Sequence, residues 1–324
     1  MAWPLRFSDV TAAEARIRPH FPPSPLRAYP VLDAAVGHGI RVLVKHDNHL
    51  PTNAFKVRNA VSVLTAMDEG ARRRGVVSAT RGNHGLGLAW AGARLGVRAT
   101  ICVPLGNNPE KNEGMRAYGA ELVEQGDDYD ASLAVALRLV EERGMTMIHP
   151  TNDPLISAGA GTLTLELLRE RPDVDAMVIA VGGGSQAVGA MTVARELAPR
   201  MKVYAVQAER APAIHDAWHR GTPGTAPRAD TFADGLATRS TYDLTFPALR
   251  EGLAGFVTVS EAEIADAIRL VLRATHNLAE GAGAAGLAGL RKLAPDLAGK
   301  TVAVVLSGAN IDRETLRRVV TGEL

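Results

Sequence analysis

The sequence predicts an α/β protein with two domains of mostly parallel, twisted sheets covered by helices. Three observations carry that prediction. Short β-branched runs alternate with longer helical patterns along the chain. The sharpest glycine-rich turns lie at strand ends or helix starts, where open α/β sheets put their ligands. Aromatic residues make up only 4% while glycines number 32, which suits tight helix–sheet packing better than an aromatic stacking surface.

Strands are expected at 41–46 (RVLVKH), 75–79 (GVVSA), 100–103, 120–123, 177–181, 202–207, 255–259 and 301–306, each a short apolar or β-branched run. Helical patterns fall between them at 55–68, 87–95, 112–118, 131–143, 187–197, 261–275 and 283–293. The stretch 211–230, ending in PGTAPRAD, reads as a surface excursion rather than a linker, because strand–helix alternation resumes after it. Arg72, Arg73 and Arg74 read as a solvated last turn of a helix, where cations complement the dipole. Asp127, Asp128 and Asp130 read as a solvated helix start for the mirror-image reason.

With 324 residues, the chain has room for two modest domains and a well-buried core. A formal net charge of +1 offers no field that would draw nucleic acid or an anionic membrane as a partner. The single cysteine, Cys102, excludes an internal disulfide and fits a reducing compartment. Its place in the apolar run ATICVP reads as a buried strand position rather than a nucleophile. The start MAWPLRFSDV lacks the basic-then-apolar pattern of an export signal, and no stretch approaches a membrane span. A cytoplasmic protein is expected.

Four segments carry chemistry. In PTNAFKVRNA, Lys56 stands early in an apolar helix pattern, so its amine is partly withdrawn from water; desolvation frees a neutral amine for a Schiff base. Taken alone, a lysine snorkelling from a helix explains it as well. In TRGNHGLG, glycines let the backbone approach a ligand and a helix start offers free N–H groups, although a plain turn needs no function. In VGGGSQAVG, three glycines and a serine at a strand-to-helix turn suit a phosphate cradle better than a plain turn, which is the alternative; no Gly-Lys-Ser/Thr follows, so this is not a nucleoside-triphosphate loop. In VLSGANID, Ser307 stands where the last strand stops and can face the sheet-end crevice, although an isolated serine there needs no function. Two further patterns are discounted. GAGAAG at 281–286 satisfies GxGxxG but follows a helical segment instead of a strand. The nine histidines contain no HExxH, and His46, His49 and His84, near the cleft, do not make a metal site by spacing.

In this order, from about Pro22 to Asp312, the segments resemble the fold-type-II pyridoxal-phosphate enzymes of the threonine/serine dehydratase family. FKVRNA is similar to the family's F-K-x-R-G-A motif, RGNHG to S-G-N-H-G, VGGGSQAVG to G-G-G-G-L and LSGANID to S-G-G-N; NNPEKNEGMRAYGAELVEQG, FADGLA and AEGAGAAGLAGL are weaker matches between them. The resemblance implies a tryptophan-synthase-β-like fold and pyridoxal 5'-phosphate as cofactor. It implies a lyase that eliminates the β-hydroxyl of a small hydroxy-amino acid, giving a 2-oxo acid and ammonia. By resemblance, Lys56 forms the Schiff base and moves the Cα proton, and Phe55 packs near the ring. Asn83 bonds the phenolic oxygen, Gly182, Gly183, Gly184 and Ser185 hold the phosphate, and Ser307 faces the pyridine nitrogen. Thr80, Arg81, Gly82 and His84 receive the substrate, with Gly235 and Glu280 as neighbours behind these contacts. A smaller domain of residues 51–149, a larger one of 1–50 plus 150–324, and a homodimer are implied as well.

Three departures matter. Arg81 stands where the family usually has a serine, threonine or aspartate, which disfavours racemisation and suits a second carboxylate, as in 3-hydroxyaspartate; an arginine turned outward, or one reinforcing the α-carboxylate, fits equally. Gln207 and Ala213 replace the acidic residues of metal-dependent relatives, so no metal is expected. With the sequence stopping at Leu324, feedback by isoleucine through a further module is not expected. The competing readings are a β-elimination or replacement enzyme of threonine-synthase or phenylserine-dehydratase type, and a non-catalytic phosphate-ligand-binding protein.

Overall fold

The computed structural model describes residues 3–324; residues 1 and 2, part of the start read above for an export signal, lie outside the described residues. The strands are β1 (Leu26–Ala28), β2 (Arg41–Lys45), β3 (Val76–Ala79), β4 (Ala99–Val103), β5 (Glu121–Glu124), β6 (Thr146–Met147), β7 (Ala176–Ala180), β8 (Lys202–Ala208), β9 (Gly255–Val259) and β10 (Thr301–Val305). They form a six-stranded sheet, β1-β2-β10-β7-β8-β9, and a four-stranded one, β5-β4-β3-β6. Every pairing is parallel except β1 with β2. The central strands β3 and β4 are buried at every position, as expected of parallel strands with helices on both faces.

All eight expected strands are present, within a residue or two at their ends. The very short β1 and β6 lack enough residues to show a pattern. Helix starts are where the sequence reading needs correcting. The helices expected from 87 and 187 begin at Asn83 and Ser185, because their first turns are rich in glycine and polar residues and carry no apolar period. The stretch 211–230 is not one loop: it contains the helix Ala213–Arg220. The Arg72–Arg74 triplet does close a helix, Glu69–Arg74.

The largest omission is the helix Pro154–Glu170. Every residue from Ile156 to Leu168 is buried, so the apolar face runs all round and leaves no stripe to detect. Its start is still well specified, with Asp153 accepting from Leu155 N and proline in the first turn. Against it lies the helix Lys56–Ala66, backed on its other side by Asn83–Leu95. Backbones meet closely at both contacts. A Cβ on Gly159 would stand 2.7 Å from Arg58 O, and one on Gly87 would stand 2.8 Å from Lys56 O. The GAGAAG glycines serve the same purpose: at Gly283 a Cβ would meet Gly308 O at 2.2 Å, so the helix Gly281–Leu293 can press onto the chain after β10. Cys102 is buried on β4, where burial pushes its thiol up to about 11. Among the described residues no helix is long and apolar enough to cross a membrane.

Candidate active site

Strands β3, β7 and β10 end around one cavity of about 350 Å³. Lys56, the first residue of its helix, reaches into it. Its Nζ lies 3.4 Å from Pro150 O and 5.0 Å from the Phe55 ring centroid. Withdrawal from water lowers its pKa to about 8. Facing it, the chain leaves β7 through Gly182, Gly183 and Gly184 and enters the helix Ser185–Leu197, whose first N–H groups have no side-chain cap. Gly184 takes φ +96°, in the left-handed region. A Cβ on Gly183 would stand 2.0 Å from Thr151 Oγ1, so nothing larger fits there. The residues form an open cradle of backbone N–H groups at a helix start, which suits an anion.

A match to the family described as pyridoxal-phosphate dependent enzyme spans residues 17–308. The chain belongs to that family. The L-threonine ammonia-lyase of Geobacter sulfurreducens is 41% identical over 283 residues, covering 87% of this chain and 70% of that protein. The structure of maize serine racemase superposes with a TM-score of 0.93 at 27% identity, covering 99% of this chain and 98% of that one. The processed form of threonine deaminase isoform 2 from Solanum lycopersicum gives 0.92 at 30% identity, with 97% and 92% covered.

As a pyridoxal-phosphate enzyme the chain takes that cofactor, and the cavity suits it: an amine with a lowered pKa and an uncapped, glycine-led helix start line the same space. All the residues singled out from the sequence for the site line this cavity: Phe55, Lys56, Thr80, Arg81, Gly82, Asn83, His84, Gly182, Gly183, Gly184, Ser185 and Ser307. Gly235 and Glu280, expected behind the first contacts, line it too. His46 and His49 are not among the lining residues; they stack on each other 4.8 Å apart instead.

Individual environments differ from simple expectation. Asn83 opens the helix Asn83–Leu95, also uncapped, and its amide is held from both sides: Nδ2 donates to the Glu280 carboxylate, and Oδ1 accepts from Asn310 Nδ2 at 2.8 Å. His84 is buried, and desolvation, with the nearby Lys56 charge, lowers its pKa to about 3. It is therefore a neutral imidazole rather than a cation for a carboxylate. Thr80 is turned to its own loop, accepting from Gly82 N at 3.1 Å. Arg81 is exposed at the cavity with no side-chain hydrogen bond or ion pair among the described residues. Ser307 is buried, its Oγ 3.4 Å from Ala282 O.

Other lining residues had no role in the sequence reading. Lys111 and Asp234 lie in the weaker matches NNPEKNEG and FADGLA, which were the available signal. The acidic run needs correcting. Asp128 does cap the helix Tyr129–Arg143, yet both it and Asp130 line the cavity and pair with Arg239. Tyr129 Oη is buried without a partner among the described residues, and burial raises its pKa. At the places checked for a metal, Gln207 Oε1 accepts from Ile214 N and His215 N, fastening the helix Ala213–Arg220.

Proposed function

We propose that this chain is an ammonia-lyase that removes the β-hydroxyl of a small hydroxy-amino acid, threonine or serine foremost, yielding a 2-oxo acid and ammonia. The observation that carries the reading is Lys56, an amine with its pKa lowered to about 8, sharing a cavity with the uncapped glycine-led start of Ser185–Leu197. The names of the similar proteins, threonine ammonia-lyase and threonine deaminase, support the substrate class.

In this reading Phe55 packs beside the cofactor ring, and Gly182, Gly183, Gly184 and Ser185 hold the phosphate. Ser307 faces the pyridine nitrogen, and Asn83 faces the phenolic oxygen. When bound, pyridoxal phosphate supplies an electron-withdrawing ring that acidifies the substrate Cα–H. Lys56 Nζ takes that proton; its lowered pKa leaves a useful neutral fraction near neutral pH. The electron pair released at Cα forms the Cα–Cβ double bond as the Cβ–O bond breaks. The hydroxyl takes up the proton that Lys56 removed and departs as water, and water then hydrolyses the released enamine to the 2-oxo acid and ammonia. Ser307, a neutral hydroxyl, does not favour a charged pyridine nitrogen as a carboxylate does, which suits prompt loss of a β-group over a long-lived carbanion. The uncapped first turn of Asn83–Leu95 receives the substrate carboxylate on its N–H groups. Thr80 and Gly82, whose own N–H groups are bonded to Cys102 O and Thr80 Oγ1, shape the loop beside it, and His84 is neutral.

Arg81 supports a second substrate, one with a side-chain carboxylate such as 3-hydroxyaspartate. Lys111 and Arg239 are both paired, whereas Arg81 has no partner among the described residues. Closure of residues 51–149 against 1–50 plus 150–324 would exclude water from the cavity. A cytoplasmic homodimer completes the reading, tested by sedimentation of the holoenzyme.

Purified protein is expected to be yellow, and borohydride followed by peptide mapping to label Lys56. Serine, threonine, 3-hydroxyaspartate and phenylserine are then scored for oxo acid and ammonia. A colourless protein that takes up no pyridoxal phosphate, or a label elsewhere, overturns the reading.

A further inference from the structure

Lys111 keeps only 6% of its side chain exposed, an uncommon place for an ammonium. It comes from the helix Pro109–Ala117, between β4 and β5 of the four-stranded sheet, and reaches residues that accompany the other sheet. Its Nζ lies 2.9 Å from Asp234 Oδ2 and 3.7 Å from Glu280 Oε2. The other Glu280 oxygen accepts from Asn83 Nδ2. The Lys111 stem also supports the loop before Asn83: a Cβ on Gly82 would stand 2.9 Å from Lys111 Cδ. One side chain therefore touches both the loop that leads into Asn83 and the carboxylate that holds the Asn83 amide.

We propose that Lys111 is a positioning residue of the reaction, fixing the Glu280 carboxylate and through it the Asn83 amide at the edge of the cavity. The inference rests on the reading of Asn83 as a cofactor contact. Its physical basis is charge. Burial raises the Glu280 pKa; Lys111 and the Asn83 hydrogen bond oppose that rise, and Asp234 adds to it. For Lys111, burial works to lower the pKa, but Glu280 and Asp234, with Asp312 beyond them, outweigh it. The groups facing Glu280 are thus Lys111 from one helix, Asn83 from a second and Asp234 from the short turn Asp234–Leu236. An ionised Glu280 only accepts hydrogen bonds and so orients the Asn83 amide one way; a neutral carboxyl also donates and loses that selectivity.

The signs of two substitutions are opposite. Burial leaves the Glu280 pKa raised, and Lys111→Met removes the charge that opposes that rise, so Glu280 takes up its proton at higher pH still. Asp234→Asn removes a repelling carboxylate and leaves Lys111 to Glu280, so protonation moves to lower pH. The test uses the holoenzyme and both variants, with Lys111→Met/Glu280→Gln as control. Two pH profiles are recorded: kcat/KM for L-threonine, and the cofactor absorbance band without substrate. For Lys111→Met we expect an acid limb raised by roughly 1–3 pH units and a loss at neutral pH on the order of 100-fold. Asp234→Asn should lower the limb, and the double variant should lack a shift. Both single variants moving the limb the same way, or Lys111→Met lowering only thermal stability, would overturn the proposal. Asp234 is 41% exposed, so its variant carries the test if Lys111→Met does not fold; an unmoved limb there also overturns it. Should threonine not be a substrate, the absorbance titration alone decides on Lys111, separately from the proposed reaction.

Discussion

Arg58 and Glu166 meet as a two-pronged ion pair in the interior, with Nη1–Oε1 and Nη2–Oε2 both at 2.8 Å. Asp47 accepts from Nε at 2.8 Å and Nη2 at 3.0 Å, the Thr162 and Ser24 hydroxyls accept from Nη1 and Nη2, and Lys45 reaches Glu166 at 2.7 Å. Arg58 and Asp47 are wholly buried. Arg58 stands two residues after Lys56, while Glu166 lies on the helix Pro154–Glu170. The cluster thus pins the Lys56 helix against the neighbour that crosses it.

Breaking this cluster should cost stability before it touches chemistry. Arg58→Met leaves Asp47 without its main partner, and removing one member of a buried pair costs about 3–5 kcal/mol. The pH dependence should change sign as well. Burial alone would raise the Asp47 and Glu166 carboxyls, but Arg58 outweighs it and holds both below their usual values. A depressed carboxyl contributes stability above its unfolded pKa and loses it as pH falls through the folded one. The natural protein should therefore lose this contribution only below about pH 4. In Arg58→Met, only Lys45 and the Ser24 hydrogen bond still oppose burial at Asp47, so its carboxyl rises and melting temperature should increase as pH falls from ~7 to ~5. Thermal melts across that range decide it; parallel curves would argue against the cluster as the source.

The Lys56 amine should set the pH at which cofactor is captured. Only the neutral amine attacks an aldehyde, and desolvation has brought its pKa to about 8. Uptake of pyridoxal phosphate by cofactor-free protein, followed by absorbance, should accelerate as pH rises through about 8. An ordinary lysine would place that midpoint near ~10.4. A midpoint there would mean the amine is solvated before the cofactor arrives.

Much of this site was legible because its residues sit where local patterns change. Lys56, Asn83 and Ser185 each open a helix, and Ser307 ends a strand connection, so strand–turn–helix punctuation marks them before any fold is known. Two kinds of feature left no such mark. The helix Pro154–Glu170 is buried all round and has no amphipathic period, although it supports Lys56. Pairs such as Lys111–Asp234 and Arg239–Asp130 join residues 123 and 109 apart in sequence. Each member alone looks like a solvated charge, and only the packing of the two sheets brings it to the cavity.

Arg81 should set the balance between substrates. Its guanidinium lines the cavity without a partner among the described residues, and a fork of N–H donors matches a carboxylate. Arg81→Ser should lower kcat/KM for 3-hydroxyaspartate by roughly 10- to 100-fold, the worth of a charged hydrogen bond, and leave threonine changed much less. An unaltered ratio of the two would remove the specificity argument, and an equal loss for both would assign Arg81 to the shared α-carboxylate.

Arg239 should govern entry rather than stability. It follows the turn Asp234–Leu236 and pairs with Asp130, and at 3.8 Å with Asp128, at the start of the helix Tyr129–Arg143. All three line the cavity and keep about half of their side chains exposed, so the pairing lies at its solvent-facing edge, the mouth. Their side chains are 45–58% exposed, and a pair in that setting adds little to folding and is screened by salt. Arg239→Gln should accordingly leave the melting temperature nearly unchanged. Its effect should fall on KM, because an untied mouth holds substrate less well. In the natural protein, raising ionic strength should weaken the same tie and raise KM; in Arg239→Gln that salt dependence should largely vanish. Steady-state kinetics at low and high salt separate the cases. Equal salt dependence in both proteins would mean that screening acts elsewhere, on Arg81 or on the substrate itself, and that the mouth is held shut by packing instead of charge.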